Sequence, residues 1–281
     1  MTNNTSKFDL IAGTNEFYLD TDHYDYEFKD RTADVKFYVD QYLQITQNQG
    51  SILELGVGTG RIAIKAAKKG AKLTGLDIHK GMLAAADHHR KQLPASKQNH
   101  LQLIQGDMRS FDLGQSFDLI TVPFNAFQHL YTFADVKACL QTIKKHLKPN
   151  GQLIFDVLMP DLEYLQRPPY QIVKGIQFYH PIWQAEYVYS ERSAYDPVSQ
   201  INQVWIYYDQ VEPPIRTDAS APKQHAIQLS HRYFFPQELE ALLDFNGFQI
   251  KHRFGGFEGE ILEEGCESQV LICQLNSSIG F

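Results

Sequence analysis

Three glycines spaced one residue apart, Gly56, Gly58 and Gly60, separate the apolar run Ser51–Leu55 from the alanine-rich stretch that begins at Ile62. A glycine-rich turn between a strand and a helix exposes backbone amides and lets a ligand approach the chain closely. The segment therefore predicts a strand–loop–helix unit with a ligand at its turn. Spacing narrows the choice. Dinucleotide folds use Gly-x-Gly-x-x-Gly, whereas the pattern here is Gly-x-Gly-x-Gly followed by Arg61.

The flanking pattern alternates short apolar runs with helical ones, which predicts a parallel sheet with crossover helices. Val35, Tyr38, Tyr42 and Ile45 predict a helix over 33–46, ahead of the first strand. A helix follows Gly60 and closes at Gly70. Strands are expected at Lys72–Leu76, Leu101–Gln105, Phe117–Val122 and Gln152–Val157, with helices near 81–91 and 134–147. Beyond Val157 the rhythm changes. Residues 158–182 show no clear periodicity, and then Trp183–Tyr189 and Gln203–Tyr208 alternate around a Tyr195-Asp196-Pro197 turn, predicting a β-hairpin. Gln228–Phe234 reads as a third strand. A helix from Pro236 and strands near Phe248–Phe254 and Gln269–Leu275 return to the main pattern.

Acidic residues stand where the ligand reading needs them. Asp77 follows the second strand, where a carboxylate can accept both hydroxyls of a ribose. Asp107, in Gly106-Asp107-Met108 after the third strand, can accept a hydrogen bond from an adenine amine. Ile78 and Met108 would sandwich the purine. All of these fall beyond the carboxyl ends of strands, where such sites lie in open α/β sheets.

The segments ILELGVGTGRIAI (52–64), GLDIHKGML (75–83), GDMRSF (106–111), FDLITVPFNAFQHL (117–130) and LKPNGQLIFDV (147–157) resemble the successive motifs of class I S-adenosylmethionine-dependent methyltransferases. The likeness runs from about 24 to 157 and resumes at 236–275. It is closest to small-molecule members with a β-rich insertion, such as aminosugar N-methyltransferases. The resemblance implies an α/β, Rossmann-like, seven-stranded and mostly parallel sheet, with an antiparallel β insertion after strand five. It divides the chain into a cofactor domain (1–157 and 235–281) and an insertion or substrate cap (158–234). It implies that Gly56, Gly58 and Gly60 line the methionine part of S-adenosylmethionine and that Glu54 orients the loop or sits near the cofactor's amino group. Asp77 would hold the ribose; Asp107, Met108, Ile78 and Met82 would surround the adenine; Val122 and Pro123 would offer backbone near the ammonium. Tyr24 and Tyr38 stand where an N-terminal cap would bind the carboxylate. For an acceptor proton, His129 is the base candidate, with His231 and Tyr233 as alternatives.

Composition sets the partners. A formal net charge of −7 over 281 residues argues against a phosphate backbone as the main ligand. No run of about 18 apolar residues predicts a membrane span, and MTNNTSKFDL does not read as a signal peptide. Cys139, Cys266 and Cys273 form no metal-type spacing and read as reduced cytoplasmic residues. The segment Val122-Pro123-Phe124-Asn125 lacks the Asn/Asp-Pro-Pro-aromatic motif of enzymes that methylate amino groups of adenine or glutamine. The expectation is thus a cytoplasmic monomer or homodimer acting on a small molecule, without nucleic acid or membrane. Two alternatives share part of the pattern: an NAD(P)-dependent oxidoreductase, disfavoured by the glycine spacing, and a protein that binds S-adenosylmethionine without turnover. Asp118 and Gly255-Gly256 are read as structural, whereas the aromatics Phe178, Tyr179, Trp183, Tyr187, Tyr189, Trp205, Tyr207 and Tyr208 read equally as an acceptor pocket suited to a cationic amine or as the buried face of a small sheet.

Overall fold

In chain order the elements are α1 (Leu10–Asn15), α2 (Thr21–Glu27), α3 (Ala33–Gln47), β1 (Ile52–Leu55), α4 (Ala63–Lys69), β2 (Leu73–Asp77), α5 (Lys80–Lys91), α6 (Ala95–Gln98), β3 (Leu101–Gln105) and β4 (Phe117–Val122). They continue with α7 (Phe133–His146), β5 (Leu147–Leu158), α8 (Leu162–Leu165), β6 (Val173–His180), β7 (Ala185–Asp196), β8 (Ile201–Gln210), β9 (Gln224–Arg232), α9 (Pro236–Phe245), β10 (Phe248–Phe254) and β11 (Ser268–Leu275). The structure, a computed structural model, describes residues 10–180, 182–211 and 223–276. They fall into two units, Glu27–Pro160 with Tyr233–Phe281, and Met1–Tyr26 with Asp161–Arg232.

The first unit holds a seven-stranded sheet in the order β10-β11-β5-β4-β1-β2-β3. Strands β1 to β5 are mutually parallel, and β11 pairs antiparallel with both β5 and β10. Successive side chains of a strand point to opposite faces, and the core follows that rule. Leu53, Ile120 and Phe155 join α7 and α9 residues on one face, while Ile52, Leu119 and Ile154 join α3 and α4 on the other. Helix α7 opens on a capping box in which Thr132 and Asp135 each bond the other's backbone amide at 3.0 Å.

The second unit carries the antiparallel sheet β6-β7-β8-β9. Its long β7–β8 hairpin pairs Asp196 with Ile201, as the alternation there predicts. Strand β6 escapes the sequence reading because it is an edge strand with a run of exposed residues, among them Ile176 at 80% exposure. Residues before Glu27, placed by sequence with the cofactor domain, group with this sheet. Helix α1 packs so closely on β9 that a Cβ at Gly13 would lie 2.8 Å from that of Ser230. The Glu16 carboxylate accepts a bond from the Gln228 amide at 3.0 Å. Among the described residues, no helix is long and apolar enough to cross a membrane.

Candidate functional site

The chain runs outward from β1 to β2 and β3, then crosses back to β4, so the strand order reverses between β1 and β4. At such a switch point the loops leaving the carboxyl ends of the two strands diverge and leave a crevice. The glycine turn follows β1, and the segment Pro123–Ala126 follows β4. The two loops touch: a Cβ at Gly56 would fall 2.8 Å from that of Ala126. Gly56 also has φ +72°, so any side chain there would be both strained and crowded.

The turn is held from below. The amides of Gly56 and Val57 donate to the Leu76 carbonyl at 2.8 and 3.1 Å. The Gly58 amide donates to Asp77 Oδ2 at 2.8 Å, and Asp77 Oδ1 accepts from the His79 amide at 2.8 Å. Asp77 is 7% exposed, and burial raises its pKa against these bonds. Gly58 has φ +55°, and no atom lies within 4 Å of where its Cβ would stand. The turn therefore offers an open backbone surface beside a carboxylate.

Beneath the turn, Glu54 is 1% exposed. The Tyr42 hydroxyl donates to its Oε2 at 2.8 Å and lies 2.6 Å from Thr121 Oγ1, so one helix and two strands meet on one polar pin. Burial pushes the Glu54 carboxyl up to about 8. The raised pKa favours the protonated form of a carboxyl that accepts from Tyr42 beneath the turn. Asp107 is gripped by Arg109, whose guanidinium reaches both carboxylate oxygens and also Asp135 at 2.7 Å. That fork holds the Asp107 pKa below its ordinary value. Ile78 is 51% exposed, and Met108 is half-buried against the core. Met82 is a correction: at 1% exposure it belongs to the interior. Val122 and Pro123 are buried, leaving only their backbone for any contact.

Tyr38 is a second correction. Its side chain is fully buried, and its hydroxyl donates to Asp156 Oδ1 at 2.6 Å instead of pointing to a ligand. Sequence reasoning missed Asp156 itself, although an acid inside Ile154-Phe155-Asp156-Val157 is the kind of break in an apolar strand that could have exposed it. It also missed the Arg61–Asp34 ion pair, which lies in the same unit with Arg61 only 10% exposed. Asp118, by contrast, behaves as read: its Oδ2 accepts from the Ser51 amide and from Lys148, both at 2.7 Å.

Residues 52–151 match the family described as "Methyltransferase domain". Over those residues the chain is similar to that domain. YqeM of Bacillus subtilis, which bears a provisional methyltransferase name, is 38% identical over 112 residues, 39% of this chain and 42% of that protein. The dTDP-3-amino-3,4,6-trideoxy-alpha-D-glucopyranose N,N-dimethyltransferase of Streptomyces venezuelae is 30% identical over 128 residues, 46% of this chain and 51% of the relative. The chain spans about half the length of the curated relatives it matches. Among solved structures, the S-adenosylmethionine-bound amino pentose methyltransferase CalS10 of Micromonospora echinaspora superposes with a TM-score of 0.66 at 20% identity, covering 91% of this chain and 97% of that one. That likeness shows the fold, a Rossmann-like, mostly parallel seven-stranded sheet.

Residues 52–151 contain one of the three base candidates. His129 ends a 3-10 turn (Ala126–His129) after β4, half-buried, with Nδ1 3.2 Å from the Tyr131 hydroxyl. His231 lies on β9 in the other unit, where burial lowers its pKa to about 4. Tyr233 is 6% exposed and belongs to the unit of the seven-stranded sheet. Tyr24 groups with the second sheet, 7% exposed and packed edge-to-face on Phe17.

Proposed function

We propose that the chain is an S-adenosylmethionine-dependent methyltransferase acting on a nitrogen or oxygen of a small-molecule acceptor, working in the cytoplasm as a monomer or homodimer. The observation that carries this reading is the Gly56–Gly60 turn, closed by the Asp77 carboxylate at the β1–β4 switch point, inside the residues that match a methyltransferase domain. The open space at Gly58 and the adjacent carboxylate fit such a donor. S-adenosylmethionine, when bound, supplies an electrophilic methyl group on a sulfonium centre.

The chain's own work is then mainly positioning, plus proton removal where the acceptor needs it. Gly56, Gly58 and Gly60 would line the methionine portion, Asp77 the ribose, and Asp107, Met108 and Ile78 the adenine. The backbone at Val122 and Pro123 would face the ammonium. His129 is the proposed base. Relatives named for amino-sugar N-methylation support an amine on a sugar as the acceptor, and we assign acceptor choice to the unit built on β6–β9.

Calorimetry tests the donor: affinity for NAD(H) with none for S-adenosylhomocysteine would sink the reading. Asp77→Ala should weaken S-adenosylhomocysteine at least about tenfold, since a lost charge-assisted bond costs about 1.5–3 kcal/mol. A screen of metabolite extracts with labelled S-adenosylmethionine should identify the acceptor. On that acceptor His129→Ala should turn over at least about tenfold more slowly, within the range general bases contribute. Undiminished turnover would remove His129 from the base role.

A further inference from the structure

Two consecutive residues after β4, Phe124 and Asn125, hold φ values of +56° and +61°. A bulky aromatic rarely adopts the left-handed region, and such strain persists only where its surroundings over-determine it. The determinant is Asp156. Its Oδ1 accepts from the Phe124 amide at 2.8 Å and its Oδ2 from the Asn125 amide at 3.1 Å. Successive amides converging on one anion are a recurrent way to fix such a turn. The carboxylate is 1% exposed and is itself held by Tyr38. From the other side, the Phe124 ring lies 4.2 Å from the Arg61 guanidinium carbon and packs edge-to-face on Phe28 at 4.8 Å. The loop's own polar side chain does not hold it: Asn125 Oδ1 is buried and accepts no hydrogen bond among the described residues. The next residue, Ala126, abuts the glycine turn.

We propose that Asp156 is a positioning residue for the amino-acid end of the methyl donor, acting through the Phe124–Asn125 loop it locks against the glycine turn. This rests on the donor reading above. The loop meets the turn at its Gly56 side, where the amino-acid portion of the donor would lie, and is remote in the chain from the Asp77 and Asp107 pair assigned to the nucleoside. Loss of Asp156 should therefore separate the two ends of the ligand.

The test compares S-adenosylhomocysteine with 5′-methylthioadenosine, which lacks the amino-acid portion, by calorimetry. Asp156→Asn replaces one acceptor with an amide that cannot accept from a backbone N–H, and should weaken S-adenosylhomocysteine at least tenfold while leaving methylthioadenosine within twofold. Tyr38→Phe keeps both backbone bonds and should change S-adenosylhomocysteine by less than threefold. Without ligand, hydrogen exchange at the Phe124 and Asn125 amides should speed up at least tenfold in Asp156→Asn, with β5 amides unchanged. Should that variant not fold, Asn125→Val attacks the same turn with a side chain ill-suited to positive φ, and should give the same split between ligands. Equal loss for both ligands, or no loss, overturns the assignment, as does unchanged exchange. If wild-type protein binds neither ligand while Asp156→Asn still speeds exchange, the donor reading and the positioning role both fall, and only the hold of Asp156 on the loop stands.

Discussion

Glu54→Gln should raise the urea midpoint at pH 8 and leave it nearly unchanged at pH 4. Burial holds the folded Glu54 carboxyl at about 8, against 4.5 for an ordinary glutamic acid. Between those values the folded chain keeps a proton that the unfolded chain has released. Stability therefore falls as pH rises through the window, and the whole term is absent below 4.5. The span of about 3.5 units corresponds to roughly 5 kcal/mol at 1.36 kcal/mol per unit. Glutamine removes the titration, and its amide oxygen can still accept from Tyr42. The gain should thus build from pH 4.5 and level off above pH 8. Equal gains at both pH values would mean that Glu54 does not titrate in the folded chain. Asp77 is shifted in the same direction and remains in the variant, so some alkaline loss should persist.

The sheet was legible because its physics is local. Leu101–Gln105, Phe117–Val122 and Phe248–Phe254 are bounded by turn residues and buried on both or one face, so apolar run and strand coincide. What escaped lacked that coupling. Strand β6 lies at a sheet edge and exposes the unbroken run Lys174–Gln177, so it shows no alternation. Helices α1 and α2, of six and seven residues, are too short to display two turns of period 3.6. The grouping of the N-terminal residues with the second sheet depends on Gly13 meeting Ser230 and Glu16 meeting Gln228, pairings more than 200 residues apart in sequence.

The site divides along the same line. The glycine turn and the acids at the ends of β2 and β3 are adjacent to the strands that position them, and spacing alone reveals them. Which oxygen each acid uses is a tertiary fact. Asp77 turned out to brace Gly58, and Asp107 to be forked by Arg109. Tyr38 and Tyr42 lie one turn apart on α3, and from sequence Tyr38 suits a ligand-facing role. The fold buries both hydroxyls on acids that approach from different strands, Asp156 of β5 and Glu54 of β1. No single-sequence pattern links those partners, since 118 residues separate Tyr38 from Asp156.

Tryptophan emission should report an acid transition in the four-stranded unit between pH 6.5 and 4. The chain's two tryptophans, Trp183 and Trp205, both belong to that unit, so their emission is specific to it. There His180 Nδ1 accepts from the Trp183 amide at 3.2 Å, which leaves the proton on Nε2 to donate to His23 Nδ1 at 2.9 Å. His23 Nε2 must then donate to the Tyr208 hydroxyl at 3.0 Å. The chain of bonds works only with both rings neutral, because protonating either one sets two donors face to face. Burial accordingly lowers both pKa values to about 4, with Asp20 opposing the shift. The unfolded chain takes up protons from 6.5 downward while the folded one does not. Stability is complete above 6.5 and is lost as pH falls toward 4. For His23, which is 3% exposed, the 2.5-unit span amounts to about 3 kcal/mol. His23→Gln can still accept from His180 and donate to Tyr208 without titrating. It should therefore move the acid midpoint of the emission change to lower pH. Emission that stays flat from pH 7.5 to 4, or an unmoved midpoint in the variant, would show that this cluster does not govern the acid stability of the unit.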